Sequence, residues 1–334
     1  MTSSAPSSAK LHRLSLVIPV YQGEKTLPGL LKEIEPLTQR GTTASGHAFQ
    51  VVEVLTVHDA GPDESAQTIQ TLATQYQFLR PIWLSRNYGQ HPATLAGMAS
   101  ASGDWVVTLD EDGQHNPADV PKMLDLAVNE DAQLLYARTR VPPSHGLFRN
   151  TTSAMAQIAF RLLIGKNALG RYSSFRLLDG EIARSLAAYC ANGVYLDVAL
   201  TWLVSRVSHA AVDFRGEGDR QSGYSFGKLL SHFWRLMVSS GTRPLRFIAL
   251  IGVMALFVSA ALGIDVLHQK LTGDVPVQGW TSLMIVTSFF SGITLFAIGV
   301  VAEYLGVTLT VALGKPLYLT VSKPRRPRTP VEPR

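Results

Sequence analysis

The chain has 334 residues, 46% of them apolar, and a formal net charge of +5. That length accommodates a full catalytic domain plus a membrane module, and the modest charge, much of it beside apolar stretches, argues against a nucleic-acid partner. The one cysteine, Cys190, excludes an internal disulfide and a thiolate metal cluster.

Residues 1–13 begin with a polar Ser-, Pro- and Ala-rich stretch with no apolar run behind it, so a disordered tail is expected rather than a secretory signal. Residues 14–20 are rich in β-branched side chains and read as a first strand, followed by a helix over 27–37 and a loop over 41–46. A strand over 51–57, a helix over 65–76, a short strand over 82–84 and a helix over 92–101 come next. A strand over 105–109, a helix over 117–128 and a strand over 132–137 complete the series. Strands alternating with helices at this spacing predict an α/β domain with a mostly parallel sheet covered on both faces. Ligands of such sheets collect at the carboxyl ends of strands, where Tyr21, Asp59, Asp110 and Asp112 fall.

Two later segments, 148–164 and 226–238, are amphipathic. Each fits either a helix lying in the headgroup plane or ordinary packing against the sheet, and the interfacial reading is favoured for the second. Residues 245–267 and 280–302 are each apolar enough and long enough for the roughly 20 residues that a bilayer crossing requires. Arg243 and Arg246 precede the first stretch, and Lys315, Lys323, Arg325, Arg326 and Arg328 follow the second, whereas the connection carries only Lys270 as a fixed positive charge. The positive-inside rule then places both ends and the catalytic domain in the cytoplasm, as a multi-pass protein of the plasma membrane. The expected organisation is a tail over 1–13, a catalytic domain over 14–225, a juxtamembrane amphipathic helix over 226–243, a two-helix transmembrane module over 244–313 and a basic cytoplasmic tail over 314–334. Small residues such as Gly292 and Gly299 offer a route to homo-oligomers through the spans.

The run Thr108-Leu109-Asp110-Glu111-Asp112-Gly113-Gln114 carries the chemistry. Side chains alternate along an extended chain, so Asp110 and Asp112 share one side, and a turn could bring Gln114 toward the same cation. Mg²⁺ or Mn²⁺ prefers such oxygen ligands and bridges phosphates. Acidic triplets also occur as solvated turns; this one ends an apolar strand and runs into a helix entry at His115-Asn116-Pro117.

With these pieces assembled, the chain resembles family 2 glycosyltransferases of the dolichyl- or polyprenyl-phosphate sugar synthase group. The resemblance is carried by Leu16-Val17-Ile18-Pro19-Val20-Tyr21, Val57-His58-Asp59-Ala60-Gly61-Pro62-Asp63 and Leu84-Ser85-Arg86-Asn87-Tyr88-Gly89-Gln90-His91. It continues through Asp110-Glu111-Asp112-Gly113-Gln114, Ser174-Phe175-Arg176-Leu177-Leu178-Asp179 and Ser222-Gly223-Tyr224-Ser225, and through Glu303-Tyr304-Leu305-Gly306 and Gly314-Lys315-Pro316-Leu317-Tyr318. It spans residues 14–320.

The resemblance implies a GT-A (Rossmann-like) catalytic domain with interfacial amphipathic helices and two C-terminal transmembrane helices. It implies inverting transfer of a sugar from a nucleotide-sugar, UDP-linked more often than GDP-linked, to membrane polyprenyl phosphate. Pro19, Tyr21 and Glu24 would line the nucleotide site, with Asp59 beside base and ribose; Asp110, Asp112 and Gln114 would hold a Mg²⁺ or Mn²⁺ cofactor and the diphosphate. Arg176 would sit near the transferring or acceptor phosphate, where a guanidinium fork satisfies phosphate oxygens. The chain departs from the family at His58-Asp59, often two aspartates, at Gly113, usually bulky, and around Tyr224, where Glu217 and Arg220 replace an arginine–glycine arrangement. Arg215 or Arg220 would then supply the phosphate contact. The alternatives are a processive or protein-directed family 2 transferase, and a catalytically idle membrane scaffold or nucleotide sensor.

Overall fold

The computed structural model describes residues 10–139, 172–190, 194–215, 243–272 and 279–324. It divides into two units, one holding the α/β sheet and one holding two long helices. The predicted amphipathic segments 148–164 and 226–238 lie outside the described residues.

In the first unit the strands are β1 (His12–Val20), β2 (Gly41–Thr42), β3 (Ala48–His58), β4 (Leu79–Leu84), β5 (Trp105–Thr108), β6 (Leu134–Thr139), β7 (Arg176–Asp179), β8 (Val207–Val212) and β9 (Thr320–Val321). They form one sheet in the order β8-β6-β7-β5-β1-β3-β4-β9, with β2 paired to β3. The central strands run parallel: β1 pairs with β3 on one side and β5 on the other, and β3 with β4. The sheet is mixed rather than mostly parallel throughout. β7 lies antiparallel between β5 and β6, and β9 lies antiparallel on the edge of β4. β9 falls within 314–334, the stretch expected to be a basic cytoplasmic tail.

The helices of this unit are α1 (Leu27–Ile34), α2 (Ser65–Gln75), α3 (Gln90–Ser100), α4 (Val120–Asn129), α5 (Gly180–Tyr189) and α6 (Leu196–Leu203). α1 buries Leu27, Leu30, Leu31 and Ile34, and α4 buries Val120, Met123, Leu124 and Ala127. Both sets follow the i, i+3, i+4, i+7 spacing of one helix face. Pro28 sits in the first turn of α1, where its missing N–H costs nothing. Side-chain alternation splits the strands between two cores. Leu14, Leu16, Ile18, Val54, Val107 and Leu177 meet α1, α2 and α4. Val17, Leu55, Val57, Val106 and Leu178 meet α3, α5 and α6. Burial on both faces explains why the central strands read as nearly continuous apolar runs.

The second unit contains α7 (Arg243–Thr272) and α8 (Trp280–Ala312). The first expected span falls within α7 and the second within α8. Among the described residues only one segment, Phe289–Ala312 in α8, is long and apolar enough to cross a membrane, with 24 residues and a mean hydropathy of 1.9. That segment overlaps the second expected span, 280–302; the first, 245–267, has no counterpart of that character among the described residues. Large apolar side chains along α8, Phe289, Leu295 and Leu305 among them, face outward.

Candidate active site

The chain leaves β1 toward β3 on one side, and after β4 returns to β5 on the other. The carboxyl ends of β1 and β5 therefore flank a topological switch point, where open α/β sheets bind ligands. A cavity of about 360 Å³ opens there, lined by Pro19, Val20 and Tyr21 at the end of β1, Asp59 after β3, and Asp110, Glu111 and Asp112 after β5, together with Asn87, Gly89, Gln90 and Ala93. The N-terminus of α3 contributes Gln90 and Ala93, and the positive end of the helix dipole there suits an anion such as a diphosphate.

Two glycines shape the walls. Gly61 lies so near the β1 end that a Cβ there would be 1.6 Å from the Tyr21 carbonyl oxygen. Gly89 enters α3 with φ of +95°, a conformation that glycine adopts without steric cost. Asp59, 3% exposed, accepts the backbone N–H groups of Tyr88 and Gly89 at 2.7 Å each. Burial pushes the Asp59 carboxyl upward, and these two N–H donors oppose the rise. Asp59 thus fixes the wall that carries Asn87 and Gly89. The same wall is held from outside: Ser85 donates its N–H to the Leu319 carbonyl at 2.8 Å, beside β9.

Asp110 is tied on the α3 face. Its carboxylate accepts Gln90 Nε2 at 2.6 Å and Ser174 Oγ at 2.5 Å. Its backbone N–H donates to His115 Nδ1 at 3.0 Å, and the His115 ring stacks on Phe175 with centroids 5.0 Å apart. Burial lowers the His115 pKa, with Asp110 and Asp112 working the other way. Asp112 Oδ1 accepts the Gln114 N–H at 3.0 Å, closing a local turn. Glu111 binds the segment that follows β1. Its carboxylate accepts the N–H groups of Tyr21 at 2.9 Å and Gln22 at 3.0 Å. Reading the triplet by residue type did not single out Glu111. β5 ends at Thr108 and residues 111–112 form a turn, so the strand alternation expected to place Asp110 and Asp112 on one side does not extend through the acidic run.

The remaining expected residues fall elsewhere. Glu24 and Gln114 are not among the cavity-lining residues, and Glu24 Oε2 accepts the Glu64 N–H at 3.4 Å. Arg176, 4% exposed, is not among them either. Its guanidinium pairs with the buried carboxylate of Asp197, which also accepts the Tyr136 hydroxyl at 2.9 Å, and its Nε donates to Thr108 Oγ1 at 3.2 Å. Thr108 Oγ1 in turn donates to the Ser174 carbonyl, so Arg176 touches Asp110 only through Thr108 and Ser174. Arg215 bonds Glu33 at 2.9 Å and Asn116 at 3.1 Å, and its backbone N–H donates to the Gln114 carbonyl at 3.0 Å. Arg220 and Glu217 lie outside the described residues. His58 is 2% exposed, packs edge-on against Trp83 with centroids 5.6 Å apart, and is held below the usual histidine range by burial.

The donor set suits a hard divalent cation. Asp110 and Asp112 offer carboxylate oxygens to the cavity, and no lysine or arginine pairs with either among the described residues. Among those residues no three acidic, histidine or cysteine side chains converge to complete a cation cage alone. Mg²⁺-type sites that take one or two carboxylates and complete their shell with substrate phosphates and water have that character.

Relatives extend over nearly the whole chain. The undecaprenyl-phosphate 4-deoxy-4-formamido-L-arabinose transferase of Yersinia enterocolitica is 28% identical over 316 residues, covering 93% of this chain and 93% of that one. The transferase of the same name from Klebsiella pneumoniae is 27% identical over 326 residues, covering 95% of each. A crystal structure of glucosyl-3-phosphoglycerate synthase from Mycobacterium tuberculosis with Mn²⁺ and UDP superposes with a TM-score of 0.48 at 18% identity, covering 70% of this chain and 80% of that one. The sequence model of glycosyl transferase family 2 matches residues 15–186, over half of the chain and all of the cavity-lining residues. The chain therefore belongs to glycosyl transferase family 2.

Proposed function

We propose that this enzyme transfers a sugar from a nucleotide-sugar, UDP-linked by preference, to membrane polyprenyl phosphate with inversion at the anomeric carbon. The observation that carries the reading is the cavity at the β1–β5 switch point, where Asp110 and Asp112 face Tyr21 and Asp59. Full-length relatives named as undecaprenyl-phosphate sugar transferases support the acceptor class. The catalytic unit takes the GT-A form, and the apolar part of α8 enters the bilayer, with α7 as a second membrane helix and both termini cytoplasmic.

Each residue then has a task. Pro19 and Tyr21 border the nucleoside, and Asp59 holds the 87–89 wall against it. The N-terminal end of α3, at Gln90, turns the positive end of its dipole to the diphosphate. Asp110 and Asp112 hold Mg²⁺ or Mn²⁺, which when bound neutralises charge on the departing diphosphate. Arg176 positions β7 and Ser174 from within the sheet, and Arg215 positions the segment after the acidic run. An acceptor phosphate oxygen forms the new bond to the anomeric carbon as the bond from that carbon to the diphosphate breaks. The electron pair leaves with the nucleoside diphosphate. The acceptor is already an anion near neutral pH, so no side chain has to remove a proton.

The test is transfer of radiolabelled sugar by the purified protein in lipid. Label in extracted short-chain lipid supports the reading; label in polymer, in protein or in nothing contradicts it.

A further inference from the structure

We propose that Glu111 is a positioning residue that couples cation binding to nucleoside binding, by clamping the loop after β1 to the acidic run after β5. The proposal rests on the reading of the cavity as a nucleotide–cation site. Glu111 sits between Asp110 and Asp112 in the turn that follows β5. There its two carboxylate oxygens accept one backbone N–H each, Oε2 from Tyr21 and Oε1 from Gln22, across a sequence separation of about ninety residues. Tyr21 and the three acidic residues all line the same cavity, so the clamp ties its two halves.

Gly23 is part of the device. A Cβ at Gly23 would lie 2.8 Å from Glu111 Oε2, against the flexible end of that side chain, so glycine here leaves the carboxylate its place. On the far side, Gly61 packs its backbone on the Tyr21 carbonyl. Tyr21 is thus held from two directions, and displacing it displaces Glu111 and, through the chain, Asp110 and Asp112. A nucleoside that settles against Tyr21 stabilises the arrangement in which the two aspartates meet a cation. By linkage the cation must favour the nucleoside by the same factor.

A diphosphate bridges to the cation directly and would hide this coupling. The probe is therefore uridine, with guanosine as a parallel arm, neither of which has a phosphate. Mn²⁺ affinity is read by electron paramagnetic resonance with and without nucleoside, on the full chain in detergent or nanodiscs. Wild-type protein is expected to bind Mn²⁺ about fivefold or more tightly in the presence of the matching nucleoside. Glu111→Gln offers an amide N–H to one of the two donors in place of an acceptor. It should bind Mn²⁺ alone within about twofold of wild type and lose the nucleoside effect. Gly23→Ala keeps every carboxylate and displaces Glu111, and should lose the effect likewise, which covers the case where Glu111→Gln fails to fold. Retained coupling in a folded variant overturns the clamp. Loss of Mn²⁺ binding by Glu111→Gln without nucleoside also overturns it, because Glu111 would then be a ligand. Wild-type protein that binds neither UDP nor GDP in the presence of Mn²⁺ overturns the transferase reading itself.

Discussion

The guanidinium of Arg176 pairs with the carboxylate of Asp197 inside the sheet domain, where the two side chains are 4% and 3% exposed. Two buried charges are expensive to desolvate, and the pair is held because each also has hydrogen-bond partners: Thr108 for the arginine and Tyr136 for the aspartate. Burial raises the Asp197 carboxyl, and Arg176 opposes that rise. Through Thr108 and Ser174 the pair reaches Asp110, so the interior of the domain and the rim of the cavity are one connected network.

Breaking this pair from one side strands a charge. Asp197→Ala is expected to cost about 3–5 kcal/mol of stability. Replacing both partners with apolar residues, Arg176→Met with Asp197→Leu, should recover much of that loss. Thermal unfolding of the three proteins checks the order, and equal Tm values for Asp197→Ala and wild type would remove the stabilising role.

Asp112→Ala should lower sugar transfer by about 100-fold or more while leaving the fold intact, because the departing diphosphate loses a cation-holding carboxylate. Turnover and circular dichroism on the same sample decide it. Near-normal turnover of metal-depleted Asp112→Ala would remove the proposed role.

Much of this was legible in sequence and some was not. β1, β3, β5 and the helices between them announce themselves through apolar runs and periodicity, because both sheet faces are covered. β7 is four residues long and β9 two, and their antiparallel pairing depends on partners far along the chain, so local pattern carries no mark of either. The carboxylates at strand ends were visible because position and residue type agree. Arg176 looked like a phosphate ligand because an arginine in such a motif is expected to seek an anion. The anion it found is Asp197 in α6, at a distance only the tertiary structure fixes. Glu111 was hidden because its partners, the N–H groups of Tyr21 and Gln22, lie about ninety residues away in sequence.

Gly61→Ala is expected to weaken nucleotide binding. The added Cβ falls on the Tyr21 carbonyl, and relieving such a clash costs about 1–3 kcal/mol, or roughly tenfold in affinity if the loop shifts to accommodate it. Gly29→Ala, with nothing within 4 Å of the added atom, is the control. Titration of UDP into the two variants should separate them, and equal affinities would show that Tyr21 is not a wall of the site.

Acid should destabilise the sheet domain through His58. Burial holds its pKa below the ordinary 6.5. Above 6.5 the side chain is neutral in both folded and unfolded chains and exacts no penalty. Below it the unfolded chain takes up a proton that the folded one refuses, so stability falls with pH until the folded pKa is reached. Tm should therefore drop between pH 7 and pH 5, and drop less in His58→Leu, whose parent Nε2 has no hydrogen-bond partner among the described residues. An identical drop in both proteins would assign the acid sensitivity to other groups.

On the proposed function, the β1–β5 switch point holds the activated donor through its diphosphate. The most direct measurement is an experimental structure of the protein with Mn²⁺ and UDP, the metal located by its anomalous signal. Mn²⁺ is expected against Asp110 and Asp112, with the nucleoside between Tyr21 and Asp59. Metal and nucleotide bound together at any other place on the molecule would contradict it.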